Sequence, residues 1–178
     1  MKHWMQTSTG EAVDLENPRI SFEDIARSLA KMCRYGGHTR GFMHYSVAEH
    51  CVLMARHGNY TTRQRWNILM HDAREAIMVD MINPWKALLP EYRVHEQRIA
   101  HAIADQYDLE YPDPDYVKEL DMRILLDEKA QVMEPAPRDW NLPANLEPLG
   151  VTIRGLEPYT AYRSFVNAAL EFAHVPLD

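Results

Sequence analysis

The strongest constraint on this chain is a helical repeat of its apolar residues, which recurs in separated stretches and is nowhere matched by a convincing strand ladder. From Phe22 to Cys33, the residues Phe22, Ile25, Ala26, Leu29, Ala30 and Cys33 fall at three- and four-residue spacing, which puts them on one face of a helix. Arg34-Tyr35-Gly36-Gly37 then stops it, because paired glycines punctuate a helix end. Ser46-Val47-Ala48-Glu49 reads as a capping box opening a helix to about Arg56. Thr61 or Thr62 caps the next, expected to run to about Val79, and Asn83-Pro84 breaks the pattern. Further helices are expected over about Glu91 to Tyr107 and, after Asp113-Pro114, from Asp115 to Met133. Pro158 opens a last one, to about residue 174, through Tyr162, Phe165, Val166, Ala169 and Leu170.

These stretches predict an all-α bundle of about six or more helices in a single domain over 1–178. A polar arm or short hairpin around Thr9-Gly10 precedes it, and a minor β element is expected near Val151-Thr152-Ile153. The segment 134–157 carries Pro135, Pro137, Pro143 and Pro148 without periodicity, so it reads as a lid or a packing loop. At 46% hydrophobic and 25% charged, the chain can bury a core. Its net charge of −7 argues against coating a nucleic acid polymer or a membrane surface. Two cysteines exclude a disulfide framework and a four-cysteine zinc site. No apolar run approaches the roughly 18 residues of a membrane span, and no secretory apolar region stands at the start, so a cytoplasmic location is expected.

Function is suggested by polar residues that interrupt the apolar stripes. His50 sits among Val47, Cys51 and Met54; Asp72 among Ile68, Leu69, Ala76 and Val79, with Glu75 beside it; Asp121 among Val117, Leu120, Ile124 and Leu125. A carboxylate turned toward a core is costly unless it is paired or bound to a metal. Taken singly, an inward histidine is usually a satisfied core residue, and Arg74 or Arg123 can pair an inward aspartate. As a set, His50, His71, Asp72 and Asp121 form a donor group suited to a divalent cation. His3, His57, His95, His101 and His174 show no such convergence.

The pattern Ser46-Val-Ala-Glu-His50, Met70-His71-Asp72-Ala-Arg-Glu75-Ala76, Asp80, Pro84-x-Lys86 and Asp121 resembles the HD-domain phosphohydrolases. Within them it is similar to the small single-domain branch of bacterial 5′-deoxynucleotidases and phage dATP triphosphohydrolases. The similarity covers about Phe22 to Met133. It implies an HD-domain bundle with one divalent ion (Zn, Co, Mn or Mg) on His50, His71, Asp72 and Asp121. Glu75 would orient a water, and Asp80 would protonate the leaving oxygen or, in the plainer reading, cap a helix end. Arg34 and Lys86 match basic positions that meet phosphate, as an arginine fork and a lysine point charge would. Tyr35 stands where relatives place an aromatic near the sugar or base. Gly36 either lets the backbone approach a ligand or simply stops a helix. His38 is a spare, able to touch phosphate or to compete with His50 as the first ligand.

The resemblance therefore implies a deoxynucleotide as the small-molecule partner and a dATP-type triphosphohydrolase as the activity. The alternatives are a 5′-deoxynucleotidase acting on dNMPs or a nucleotide-sensing protein with an inactive site. It also implies a homo-oligomer, dimeric or hexameric, in the cytoplasm of a bacterium or, for a phage-encoded chain, of its host.

Overall fold

In a computed structural model, which describes residues 2–177, the chain is an all-α bundle with one small hairpin. Strand β1 (Trp4–Gln6) pairs antiparallel with β2 (Ala12–Asp14) in the register Trp4 with Asp14, Met5 with Val13 and Gln6 with Ala12. Gly10, at φ +92°, lies in the connecting turn. The hairpin is stitched to helix α1 (Phe22–Lys31) by Asp24, which is only 2% exposed. Its carboxylate accepts from Ser8 Oγ, Thr9 N and Ser21 Oγ at 2.8, 2.9 and 3.1 Å. Burial works against that charge, but the hydrogen bonds from Thr9, Thr7 and Ser8 hold its pKa down at about 2.

Helices α2 (Val47–Arg56) and α3 (Thr62–Met70) follow, and α3 starts on a complete capping box between Thr61 and Gln64. At α2 the box is half made. Ser46 accepts from Glu49 N, but the Glu49 carboxylate instead accepts Arg154 N and Leu156 N, each at 2.8 Å. The acid thus fastens the end of the proline-rich segment to α2.

The expected single helix to Val79 is broken. Helix α3 stops at Met70, and the short helix α4 spans Glu75–Met78. Between them the bonds Ala73 N to Met70 O, Glu75 N to Asp72 O and Ala76 N to Ala73 O run three residues back rather than four, the tighter winding common at functional sites. The cause is local competition for carbonyls: His71 Nδ1 takes Ile68 O at 2.8 Å, and Arg74 Nη1 donates to His71 O. Val79, expected on the apolar face, is instead exposed with φ +65°, a conformation a β-branched side chain resists.

Helix α4 has already ended at Met78, and Asn83-Pro84, expected to break a helix, begins one instead, because proline is tolerated in a first turn. Helix α5 (Asn83–Leu88) has no buried residue and presents Trp85 and Leu88 to solvent. Helices α6 (Pro90–Tyr107), α7 (Asp115–Gln131) and α8 (Pro158–Phe172) complete the bundle, within a few residues of expectation. Helix α8 packs on α1, α2 and α3, and α2 also meets α7. Phe22 stacks on Phe165 at 5.9 Å beside the fully buried Trp66, whose Nε1 donates to Tyr107 O at 2.9 Å.

No strand forms at 151–153 among the described residues. The Gln131 side chain takes the place of a neighbouring strand, donating to Val151 O at 2.8 Å and accepting from Ile153 N at 3.0 Å. Asp127 holds Leu149 N and Gly150 N in the same way. The later half of the proline-rich segment is therefore packed down by side chains of α2 and α7. Residues 139–143 of its earlier half line a cleft of about 1010 Å³.

Candidate metal centre

His50 projects from the middle of α2 and is completely buried. Its Nδ1 lies 2.8 Å from Glu128 Oε1, an acceptor, so that nitrogen carries the proton and Nε2 presents its lone pair. His71, in the tightened turn after α3, has the same arrangement through Ile68 O. Both Nε2 atoms are buried without a hydrogen-bond partner among the described residues. Yet both face carboxylates: His71 Nε2 is 3.2 Å from Asp72 Oδ2, and His50 Nε2 is 3.3 Å from Asp121 Oδ1. Lone pairs turned toward anions in a buried site call for positive charge between them.

His50, His71 and Asp72 each offer a donor atom within 4.8 Å of the others. One ion bound at about 2.1 Å from each donor closes that spread with small adjustments. The group can thus hold a metal ion, and its orphaned imidazole nitrogens fit that role. Without a metal, protons meet the demand. Burial and Arg34 lower the pKa of His50, but Asp121 and Glu128 outweigh them and raise it. Burial likewise disfavours charge on His71, and Asp72 reverses the balance to push it well up. Burial opposes charge on Asp121 too, while His50 holds it at about 2.

The residue that sequence reasoning missed is Glu128. It is fully buried and accepts from His50 Nδ1, Tyr45 Oη (2.8 Å) and Tyr35 Oη, and it pairs with Arg34 Nε at 3.2 Å. Against burial, Arg34 and then His50 pull its pKa down to about 2. This carboxylate fixes both the tautomer and the orientation of His50, the usual work of the group behind a ligating imidazole. A signal existed: Glu128 follows Asp121 by seven residues, two helical turns on the same face of α7.

The cleft brings together Arg34, Tyr35, His38, Asp72, Glu75, Asp80, Lys86 and Asp121. Glu75 is buried, with Oε2 unpartnered among the described residues, and burial and then Asp72 and Asp80 raise its pKa well above the carboxylate range. Burial raises Asp80 as well, opposed by Arg34. The Arg34 guanidinium reaches Asp72 Oδ2 at 3.6 Å. Lys86 is held by Glu96 at 2.8 Å. Tyr35 commits its hydroxyl to Glu128. His38 lines the cleft but stands outside the donor group, which is built on His50. Gly36, at φ +60°, follows Tyr35, at φ +58°, in a left-handed turn that fits glycine.

No family model matches the chain. It is 38% identical over 110 residues to the uncharacterized protein YfdR of Escherichia coli, a match covering 62% of this chain and 60% of that protein. It is 36% identical over 115 residues to an uncharacterized protein of Rhodobacter capsulatus, covering 60% of this chain and 59% of the relative. The chain thus matches these curated relatives over about three fifths of their length.

Proposed function

We propose that the chain is a divalent-metal-dependent phosphohydrolase of deoxynucleotides, of the HD-domain kind its motifs resemble. The preferred activity is of the dATP triphosphohydrolase type, yielding a deoxynucleoside and its phosphates. The observation that carries the reading is the pair of buried Nε2 lone pairs of His50 and His71, turned toward Asp72 with their protons fixed on the far nitrogens. Asp121, beside His50, is the proposed fourth ligand. A bound divalent ion would supply Lewis-acid activation of a phosphoryl oxygen and lower the pKa of water. The chain's own residues do the rest. Glu75, on the cleft wall one turn beyond His71, orients the attacking water. Asp80 gives a proton to the departing oxygen. Arg34, on the cleft wall beside Asp72, meets the phosphate oxygens with its guanidinium.

A second reading, a 5′-nucleotidase acting on dNMPs, draws support from Lys86. With the Lys86 ammonium held by Glu96, Arg34 and Arg74, at 3.6 and 3.5 Å from Asp72, are the cations left beside the donors, a sparse supply for a triphosphate chain. Ion-exchange product analysis with dATP and dAMP, each with cobalt, zinc or manganese, separates the two. Deoxyadenosine released from dATP supports the first. Free phosphate from dAMP with dATP untouched selects the second. Hydrolysis of neither by metal-loaded protein rejects both and leaves a nucleotide-sensing site.

A further inference from the structure

The cleft is far larger than an inorganic phosphate needs, and its walls are not uniform. Beyond the donor group, side chains follow one another in contact. Arg34 lies 3.6 Å from Asp72, and its guanidinium carbon stands 5.7 Å from the Tyr35 ring centroid. The Tyr35 ring in turn is 5.9 Å from that of Trp140, tilted by 46°. Trp140 is therefore two side chains beyond the ligand group, on the early half of the proline-rich segment. Lys129 Nζ stands 5.8 Å from its ring centroid. Met122, Leu125, Met133 and Leu142 line the same cleft, giving it apolar surface that phosphate and sugar do not require.

Tyr35 is an unsuitable platform for a mobile ligand ring, because its hydroxyl is fixed to buried Glu128. The half-buried indole of Trp140 is the next aromatic surface outward. We propose that Trp140 is the stacking platform for the heterocyclic base of a nucleotide whose phosphate lies at Arg34 and the His50–His71–Asp72 group. The inference rests on the phosphohydrolase reading for the phosphate end of the ligand, and it places recognition of the base in the proline-rich segment rather than in the turn at Tyr35. Base–aromatic stacking tolerates different bases, since each has a π face, so the subsite selects for a base more than for a particular one.

The test compares nucleotides with base-free counterparts on cobalt-loaded full-length protein. Binding of dAMP is measured against 2-deoxyribose 5-phosphate, and of dATP against inorganic triphosphate, by calorimetry with wild type, Trp140→Ala and Trp140→Phe. Melting curves check that each variant is folded. The wild-type preference for the nucleotide should fall roughly five- to hundredfold in Trp140→Ala, the range that loss of one stacked base gives, and Trp140→Phe should fall between. An unchanged preference in Trp140→Ala, or a wild type that binds a nucleotide no better than its base-free counterpart, overturns the proposal. Hydrolysis is followed in the same samples. A preference that collapses in Trp140→Ala, in a protein that hydrolyses nothing, would uphold the base platform and reject only the enzymatic reading.

Discussion

Replacing Glu128 with alanine removes the anion at the centre of a buried network, and the structure sets the size of the effect. The carboxylate is fully buried; it neutralises Arg34 and accepts from His50 and Tyr45 at 2.8 Å each. Its loss leaves the Arg34 charge buried, with Asp72 at 3.6 Å as the remaining close anion, and orphans the Tyr45 hydroxyl. Breaking a buried ion pair from one side costs about 3–5 kcal/mol, and an unsatisfied buried donor about 1–3 kcal/mol. These terms share atoms and do not add, so about 4 kcal/mol is expected. At about 2.1 cal/mol/K per residue, the chain has an unfolding entropy near 0.4 kcal/mol/K, so the melting temperature should fall by about 10 °C. Glu128→Gln keeps an acceptor for His50 but loses the charge. It should unfold between the two and bind a divalent ion about 10- to 100-fold more weakly than wild type, the usual effect of losing the group behind a ligand. Scanning calorimetry gives the first quantity, and competition with a chromophoric chelator for cobalt gives the second. An alanine variant melting within about 2 °C of wild type would refute the claim that Glu128 holds Arg34 and His50 in place.

Two further outcomes follow from other buried carboxylates. Asp24 titrates at about 2 when folded, against 3.8 ordinarily, so it contributes about 2 kcal/mol that is complete above about pH 5 and lost as pH falls through 4 toward 2. Urea melts should therefore show Asp24→Asn less stable than wild type at pH 6, with the gap closing near pH 2; a constant gap would exclude the titration. Glu49→Ala removes two charge-assisted bonds to Arg154 N and Leu156 N. It should cost about 3 kcal/mol and speed hydrogen exchange at those two amides, and unaltered exchange there would show that something else pins the segment.

The elements whose apolar faces repeat every three to four residues were legible in the sequence, as were the caps at Ser46 and Thr61. Those signals are local, acting within one or two turns. What was illegible depended on distant partners. The break after Met70 arises because the His71 and Arg74 side chains take the carbonyls of Ile68 and His71, a competition the apolar repeat does not register. Glu49 looked like a capping residue because its partners, Arg154 and Leu156, lie more than a hundred residues away. Glu128 sits on a face already marked by Asp121, but its value comes from Arg34 and His50, 94 and 78 residues distant. Trp140 stands in a segment without periodicity, where only the folded chain puts it beside Tyr35. That His50 and Asp72 come together was readable because polar groups on apolar stripes are conspicuous.

The central claim, that the two bare imidazole nitrogens and Asp72 form a metal site, is tested most directly by metal content. Purified wild type, His71→Ala and Asp72→Ala, each equilibrated with cobalt, zinc or manganese and freed of excess, should be compared by inductively coupled plasma mass spectrometry. Wild type is expected to retain one divalent ion per chain and both variants to lose it while remaining folded by circular dichroism. Equal metal in all three, or none in the wild type with any of the ions, would contradict the claim.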